Sequence, residues 1–217
     1  MQKLDKKILM SVGVVLLSLI IMATTVSALS VNEATPAGCS SIFSDVTCDH
    51  WGYPYIKYLN DNGIVNGYGD GTFGPENIVT RAQFAKMVTL AAGLTYSGSG
   101  VEPFDDVPEG GWEYPYVMAA KEHGIINGYS ETIFGPNDPV TRAQAAKMTT
   151  LAKGLTYTGG GAPFEDVPDD GGWVYLSVMA AKEHGIINGY SETIFGPNDP
   201  ATRAQASKMV SVMMNIP

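Results

Sequence analysis

Thr80-Arg81-Ala82-Gln83, Thr141-Arg142-Ala143-Gln144 and Thr202-Arg203-Ala204-Gln205 are one tetrapeptide written three times, each start lying 61 residues after the last. They hold the only arginines in the 217-residue chain. The three tryptophans, Trp51, Trp112 and Trp173, keep the same 61-residue interval. Chance does not put two sparse, large side-chain types on one period. The chain is therefore a threefold repeat, and each unit carries one planar cation and one large aromatic.

The tetrapeptide itself predicts a helix start. Thr at the N-cap with Gln three residues on is a capping box, which satisfies two backbone donors that the first helical turn leaves unpaired. Phe84, Met87, Val88, Leu90 and Ala91 follow at helical spacing, and Met87, Met148 and Met209 read as core. The helix is expected to stop near Gly93, Gly154 and Asn215, since Gly and Asn accept a left-handed cap.

Upstream, each unit opens with Phe-x-Asp-Val, at Phe43–Val46, Phe104–Val107 and Phe164–Val167. The tryptophan comes after a polar loop and leads into a first helix. Pro54 and Pro115 sit where that helix should begin. Ile56 and Leu59 give it an apolar stripe, and Gly63, Gly124 and Gly185 suit its C-terminal cap. Asn66-Gly67, Asn127-Gly128 and Asn188-Gly189 then signal tight turns before a hairpin-like loop. Gly/Ser-rich connectors at 97–100 and 159–161 read as flexible or extended linkers. Units two and three are near duplicates: from Met118 to Met148 and Met179 to Met209 they differ only at Val140/Ala201 and Ala146/Ser207.

The first 28 residues read as a secretory signal peptide. Lys3, Lys6 and Lys7 precede an apolar run from Ile8, and Val26-Ser27-Ala28 fits a small-residue cleavage site. The alternative is a retained anchor, because Ile8–Val26 just reaches bilayer thickness. Cleavage removes three of the 13 basic and one of the 22 acidic residues and leaves a net charge of −11. Such a surface repels phosphate and excludes nucleic-acid binding; cleavage also leaves no membrane segment. Cys39 and Cys48 are the only cysteines, and in an exported chain they suggest one short disulfide. A Cys-Cys-His metal site with His50 falls one ligand short of a closed site. A lipid-anchor reading of Pro36-Ala37-Gly38-Cys39 lacks the adjoining apolar run.

Phe-x-Asp-Val, Trp, Gly-Ile-(Val/Ile)-Asn-Gly-Tyr, Phe-x-Pro and Thr-Arg-Ala-Gln, in that order and three times over, resemble the S-layer homology (SLH) family. The resemblance covers roughly residues 42–217. It implies a mainly α fold in which three repeats, each of two main helices plus a loop, form a pseudo-threefold bundle. The repeats fall at 42–95, 103–156 and 163–217, after a lead at 29–41, and are expected to form one compact unit. The resemblance further implies non-covalent attachment at the cell surface to a secondary cell-wall polysaccharide bearing pyruvate ketals, held in grooves between units. By that resemblance, Arg81, Arg142 and Arg203, the three tryptophans, and Asp45, Asp106 and Asp166 line the grooves. Gly67, Gly128 and Gly189 offer backbone contacts. Two departures stand out. Gln83, Gln144 and Gln205 replace the usual Glu, and the Gly-Tyr-x-Asp-Gly-Thr-Phe loop is intact only at 67–73, so the three grooves are not expected to be equal.

Each site residue also has a structural reading. The arginines either fork onto Asp45, Asp106 and Asp166 as ion pairs or meet an external carboxylate, helped by the helix N-terminus beneath them. The tryptophans are either core anchors or walls for a sugar's C–H face. His123 and His184 suit helix C-termini. Acidic pairs such as Asp105-Asp106 and Asp169-Asp170 invite a two-carboxylate glycosidase reading, but a catalytic pair is not normally repeated threefold. The expected function is a non-enzymatic wall anchor with no cofactor and no metal. Its partners are an anionic glycan and a surface protein held non-covalently. The alternatives are a surface-lattice subunit and a peptidoglycan-binding or wall-hydrolase module. Replacing all three arginines by Ala is expected to abolish wall binding with helical content nearly intact.

Overall fold

The computed structural model describes residues 39–214. The leader at 1–28, most of the lead at 29–41, and the expected helix stop at Asn215 lie outside the described residues. Six helices follow in order: α1 Tyr53–Asp61, α2 Arg81–Ala91, α3 Tyr114–Glu122, α4 Arg142–Ala152, α5 Trp173–Glu183 and α6 Arg203–Met213. Among the described residues there are isolated β-bridges but no strand.

Local signals set most helix ends. All three capping boxes form: the Thr80 hydroxyl accepts from Gln83 N–H at 3.3 Å, and Gln83 Oε1 accepts from Thr80 N–H at 3.1 Å. Pro54 and Pro115 occupy the first turn of α1 and α3. Unit three has no proline there, and α5 instead starts at Trp173 itself. Gly63, Gly124 and Gly185 close the first helices in the left-handed region, at φ of 71, 68 and 69°.

The expected Asn-Gly turns form differently. Gly67, Gly128 and Gly189 are not left-handed, and the chain reverses just beyond them. Tyr68 N–H bonds Thr72 O at 2.7 Å, and Tyr129 and Tyr190 bond Ile133 and Ile194 in the same way. Glycine is required for space instead. A Cβ on Gly128 would stand 2.7 Å from the Phe104 ring and 2.3 Å from Ser130 O. The linkers are also tied at their starts, where Ser97 N–H and, just before 159–161, Thr158 N–H bond a carboxylate, of Glu122 and Glu183, at 2.9 Å.

Tertiary packing crosses the repeat boundaries. α2, α4 and α6 pack on one another and form a central three-helix column. These helices bury many small side chains, among them Ala82, Ala85, Ala143, Ala146, Ala204, Ala206 and Ser207, and small residues let packed backbones come close. The outer helices do not pack on their own unit's second helix. α3 packs on α2, α5 on α4, and α1 on α6, so the first unit closes a ring on the third. The segments leading into the column lock that ring at its axis. Val79 N–H donates to Ala201 O at 3.0 Å, Ala201 N–H to Val140 O at 2.9 Å, and Val140 N–H to Val79 O at 2.9 Å. Each donor is answered by the neighbouring unit, so no repeat satisfies its own backbone here.

Around the column, Phe43, Phe104 and Phe164 stack on Phe73, Phe134 and Phe195 with ring centroids 5.3–5.4 Å apart. Buried hydroxyls fold back onto their own helices, as Thr89 and Thr149 do to carbonyls four residues earlier at 2.9 Å. Among the described residues no buried side-chain polar atom lacks a partner.

Candidate functional site

The capping box places each arginine at the first position of a column helix, facing the next unit. Arg81 Nε donates to Phe134 O at 2.9 Å and Nη2 to Asn127 O at 3.3 Å. Arg142 bonds Phe195 O and Asn188 O, both at 2.9 Å. Arg203 completes the cycle on Phe73 O and Asn66 O at 2.7 and 2.8 Å. Each guanidinium also lies between two rings: Arg81 is 4.5 Å from the centroids of both Tyr129 and Phe134. The arginines are thus ties between units.

The ion pairs with Asp45, Asp106 and Asp166 do not form; among the described residues no carboxylate is within salt-bridge distance of an arginine. Those aspartates hold the loop instead. Asp106 accepts from Phe134 N–H at 2.8 Å and from Gly135 N–H at 2.7 Å, and Asp45 and Asp166 do the same one unit away. The backbone of Phe134 is therefore pinned at its N–H by Asp106 and at its C=O by Arg81. Nor are the helix N-terminal donors open to a ligand. Arg81 N–H bonds Asp138 O, Ala82 N–H bonds Pro136 O, and Gln83 N–H bonds the Thr80 hydroxyl.

What faces outward is a cleft beside each arginine, and three such clefts repeat. One is lined by Arg81, Asn127, Gly128, Tyr129, Gln144, Lys147 and Trp173, with a volume of 270 Å³. A second takes Arg203, Asn66, Gln83, Lys86 and Trp112, also 270 Å³. The third takes Arg142, Asn188, Gly189, Tyr190, Gln205, Lys208 and Trp51, at 260 Å³. Each cleft draws its arginine, its loop and its tryptophan from three different units, because the outer helices reach across the ring. The aspartates and Gly67 are not among these lining residues; Gly128 and Gly189 are.

The tryptophans are not core anchors. Trp51, Trp112 and Trp173 are 50, 54 and 47% exposed, a large apolar area to leave in water without a use. Lys147 Nζ stands 5.1 Å from the Trp173 ring and Lys86 Nζ 5.7 Å from Trp112. Lys208 instead sits 3.0 Å from the Asn188 amide oxygen when that amide donates its N–H to Ile187 O. Burial, then Arg142, lowers the Lys208 pKa, and burial lowers all three guanidinium values against the pull of nearby tyrosine and aspartate. Sequence reasoning missed these lysines and the covering tyrosines. Lys86, Lys147 and Lys208 keep the same 61-residue interval, as do Tyr68, Tyr129 and Tyr190, but both types are common enough to hide it. The Cys-Cys-His metal reading is displaced by a Cys39–Cys48 disulfide, Cα–Cα 6.2 Å.

The same three-unit pattern is found elsewhere. The S-layer homology domain profile matches residues 42–85, 103–146 and 163–207. The chain belongs to the S-layer homology family. It is 31% identical over 214 residues to an endoglucanase of Bacillus sp. (strain KSM-635), covering 96% of this chain and 22% of that protein. It is 33% identical over 151 residues to the surface-layer 125 kDa protein of Lysinibacillus sphaericus, covering 68% and 13%. It is 27% identical over 197 residues to S-layer protein EA1 of Bacillus anthracis, covering 89% and 22%. The chain thus spans less than a quarter of these relatives' length, and the shared part recurs in enzymes and surface-layer proteins alike. Among the described residues no helix is long and apolar enough to cross a membrane.

Proposed function

We propose that this chain is a non-enzymatic module that holds to the cell wall at the cell surface by seating an anionic, pyruvylated wall polysaccharide in its three clefts. The observation that carries this reading is the pairing, in every cleft, of a half-exposed tryptophan with a lysine and an arginine, the arginine buried in two clefts and partly buried in the third. An indole face suits the C–H face of a sugar ring, and the lysine supplies a positive charge for a ketal carboxylate. Each arginine uses Nε and Nη2 on the protein, and among the described residues its Nη1 has no protein partner, which suits it to reach a ligand. These cations stand on a chain whose formal net charge is −9, so they are local wells for an anion. Three sites on one rigid ring give avidity for a repeating polymer without any single strong contact. The enzymes and surface-layer proteins that share this region are what an anchoring module common to both would require. Asp106, one of the acidic pairs that invited a glycosidase reading, has both oxygens committed to backbone N–H groups, which supports binding over hydrolysis.

The test is co-sedimentation of the purified protein with cell walls before and after chemical removal of the secondary polysaccharide. The variant to compare is Trp51→Ala/Trp112→Ala/Trp173→Ala, because these side chains are half exposed and their loss leaves the core intact. Binding that vanishes on stripping, and in the variant, supports the reading. Binding that survives stripping points to peptidoglycan. No binding to intact walls sinks it and leaves self-assembly into a lattice as the reading to pursue.

A further inference from the structure

The three clefts look alike in their walls but not in the charges behind them. In every unit the residue just before the helix lead, at 77, 138 and 199, gives its backbone carbonyl to the arginine N–H: Arg203 to Asn77 O at 2.8 Å, Arg81 to Asp138 O at 2.8 Å, Arg142 to Asp199 O at 2.9 Å. That backbone bond places the residue beside the start of the arginine's helix. In two units its side chain is a carboxylate. The Asp138 carboxylate packs over Gly135 against the edge of the Tyr129 ring, where a Cβ on Gly135 would lie 2.6 Å from one and 2.5 Å from the other. Tyr129 covers Arg81, so one ring separates the carboxylate from the cation. Asp199 and Tyr190 repeat this over Arg142.

At the third position the residue is Asn77, whose amide donates to the Tyr68 hydroxyl at 3.2 Å. The acidic residue of this loop is shifted to Glu76, which is largely exposed and faces His50 at 4.0 Å. His50 flanks Trp51, in a different cleft. Counting the cleft's arginine, its lysine, the Phe-x-Asp aspartate and this residue gives no net charge at the Arg81 and Arg142 clefts and one positive charge at the Arg203 cleft. The lid there is also looser: Arg203 lies 5.1 Å from the Tyr68 ring, against 4.5 and 4.4 Å for its counterparts, and it is less buried than Arg81 or Arg142.

We infer that the cleft formed by Arg203, Lys86 and Trp112 is the chain's primary anion site, and that Asn77, set against Asp138 and Asp199, is the residue that ranks the three clefts. This rests on the polysaccharide reading above and goes beyond it, since that reading needs only that the clefts bind. One unit charge at this range changes the affinity for a monovalent anion by about tenfold.

The chain offers an internal reporter for each cleft, because each contains one tryptophan and the chain has no others. The probe is a methyl hexoside bearing a 4,6-pyruvate ketal, titrated into ¹⁵N-labelled protein while the three indole N–H signals are followed. Trp112 is expected to saturate at about one-tenth the concentration needed for Trp173 and Trp51. Asn77→Asp should bring Trp112 into line with the others, and Asp138→Asn should bring Trp173 down to meet Trp112. Each substitution copies a residue that another unit already carries at that position, so the fold is kept. Three indoles that saturate together, or a Trp112 curve unmoved by Asn77→Asp, overturn this inference and leave the polysaccharide reading intact. If no indole responds to the ketal and none responds to the purified wall polysaccharide, the polysaccharide reading itself fails.

Discussion

Arg142→Ala tests whether the arginines are first of all structural ties. The side chain is 4% exposed and makes two charge-assisted hydrogen bonds, to Phe195 O and Asn188 O, both at 2.9 Å. It also lies 4.4 and 4.5 Å from the Tyr190 and Phe195 rings. Truncation leaves two carbonyls without a donor, at about 1–3 kcal/mol each where buried. The lost ring contacts and the void add about 1–2 kcal/mol. Relief of the cation's own desolvation offsets part of this. The net expectation is a loss of about 3–5 kcal/mol, a large share of the roughly 5–15 kcal/mol that holds a typical domain. The assay is urea denaturation followed by helical circular dichroism, with Arg142→Lys as the comparison. Lys keeps the charge but not the two-pronged donor, so it should fall between wild type and Ala. By the same reasoning the triple Arg→Ala chain should fail to fold, unlike the intact helical content expected from sequence. A loss under about 1 kcal/mol for Arg142→Ala would refute the tie and return the arginines to a purely ligand-facing role.

Other consequences can be measured directly. Asp166→Ala frees Phe195 N–H and Gly196 N–H, and should cost about 1–3 kcal/mol while broadening the Trp51 indole signal, since Phe195 O then holds Arg142 less firmly. Reducing Cys39–Cys48, which closes a loop of sequence separation 9, should cost at most about 2–3 kcal/mol in a denaturation curve, with α2–α5 unchanged in amide exchange. Glu183 is held below its ordinary carboxylate value by the Thr158 hydroxyl and then the Thr158 N–H. Because the folded value is depressed, the tie is complete above the ordinary value of 4.5 and is lost only as pH falls through the lower folded one. The Thr158 amide shift should therefore titrate below 4.5; a midpoint at or above it contradicts the contact. Trp112→Ala alone should leave stability within about 1 kcal/mol of wild type, as expected of a half-exposed side chain, and remove ligand response from one cleft.

The repeat, the helices and their caps are legible in the amino-acid order alone. The 61-residue period, the Thr-x-x-Gln boxes and the glycine stops act over a few residues, so they are legible without tertiary context. The amino-acid order also brought forward the arginines and tryptophans that line the clefts, since Arg and Trp are sparse enough for their spacing to show. Which unit each of them serves follows from tertiary packing. The outer helices pack on the preceding unit's column helix, and the axial hydrogen bonds run from unit to unit, so every cleft is built from three repeats at once. Nothing local in the sequence encodes that exchange; it follows from burying three apolar helix faces around one axis, and the backbone donors there are satisfied only across unit boundaries. The same packing turned Asp45, Asp106 and Asp166 from expected ligand contacts into loop staples. It left the lysines, which sequence reasoning passed over, facing the open cleft beside the tryptophans.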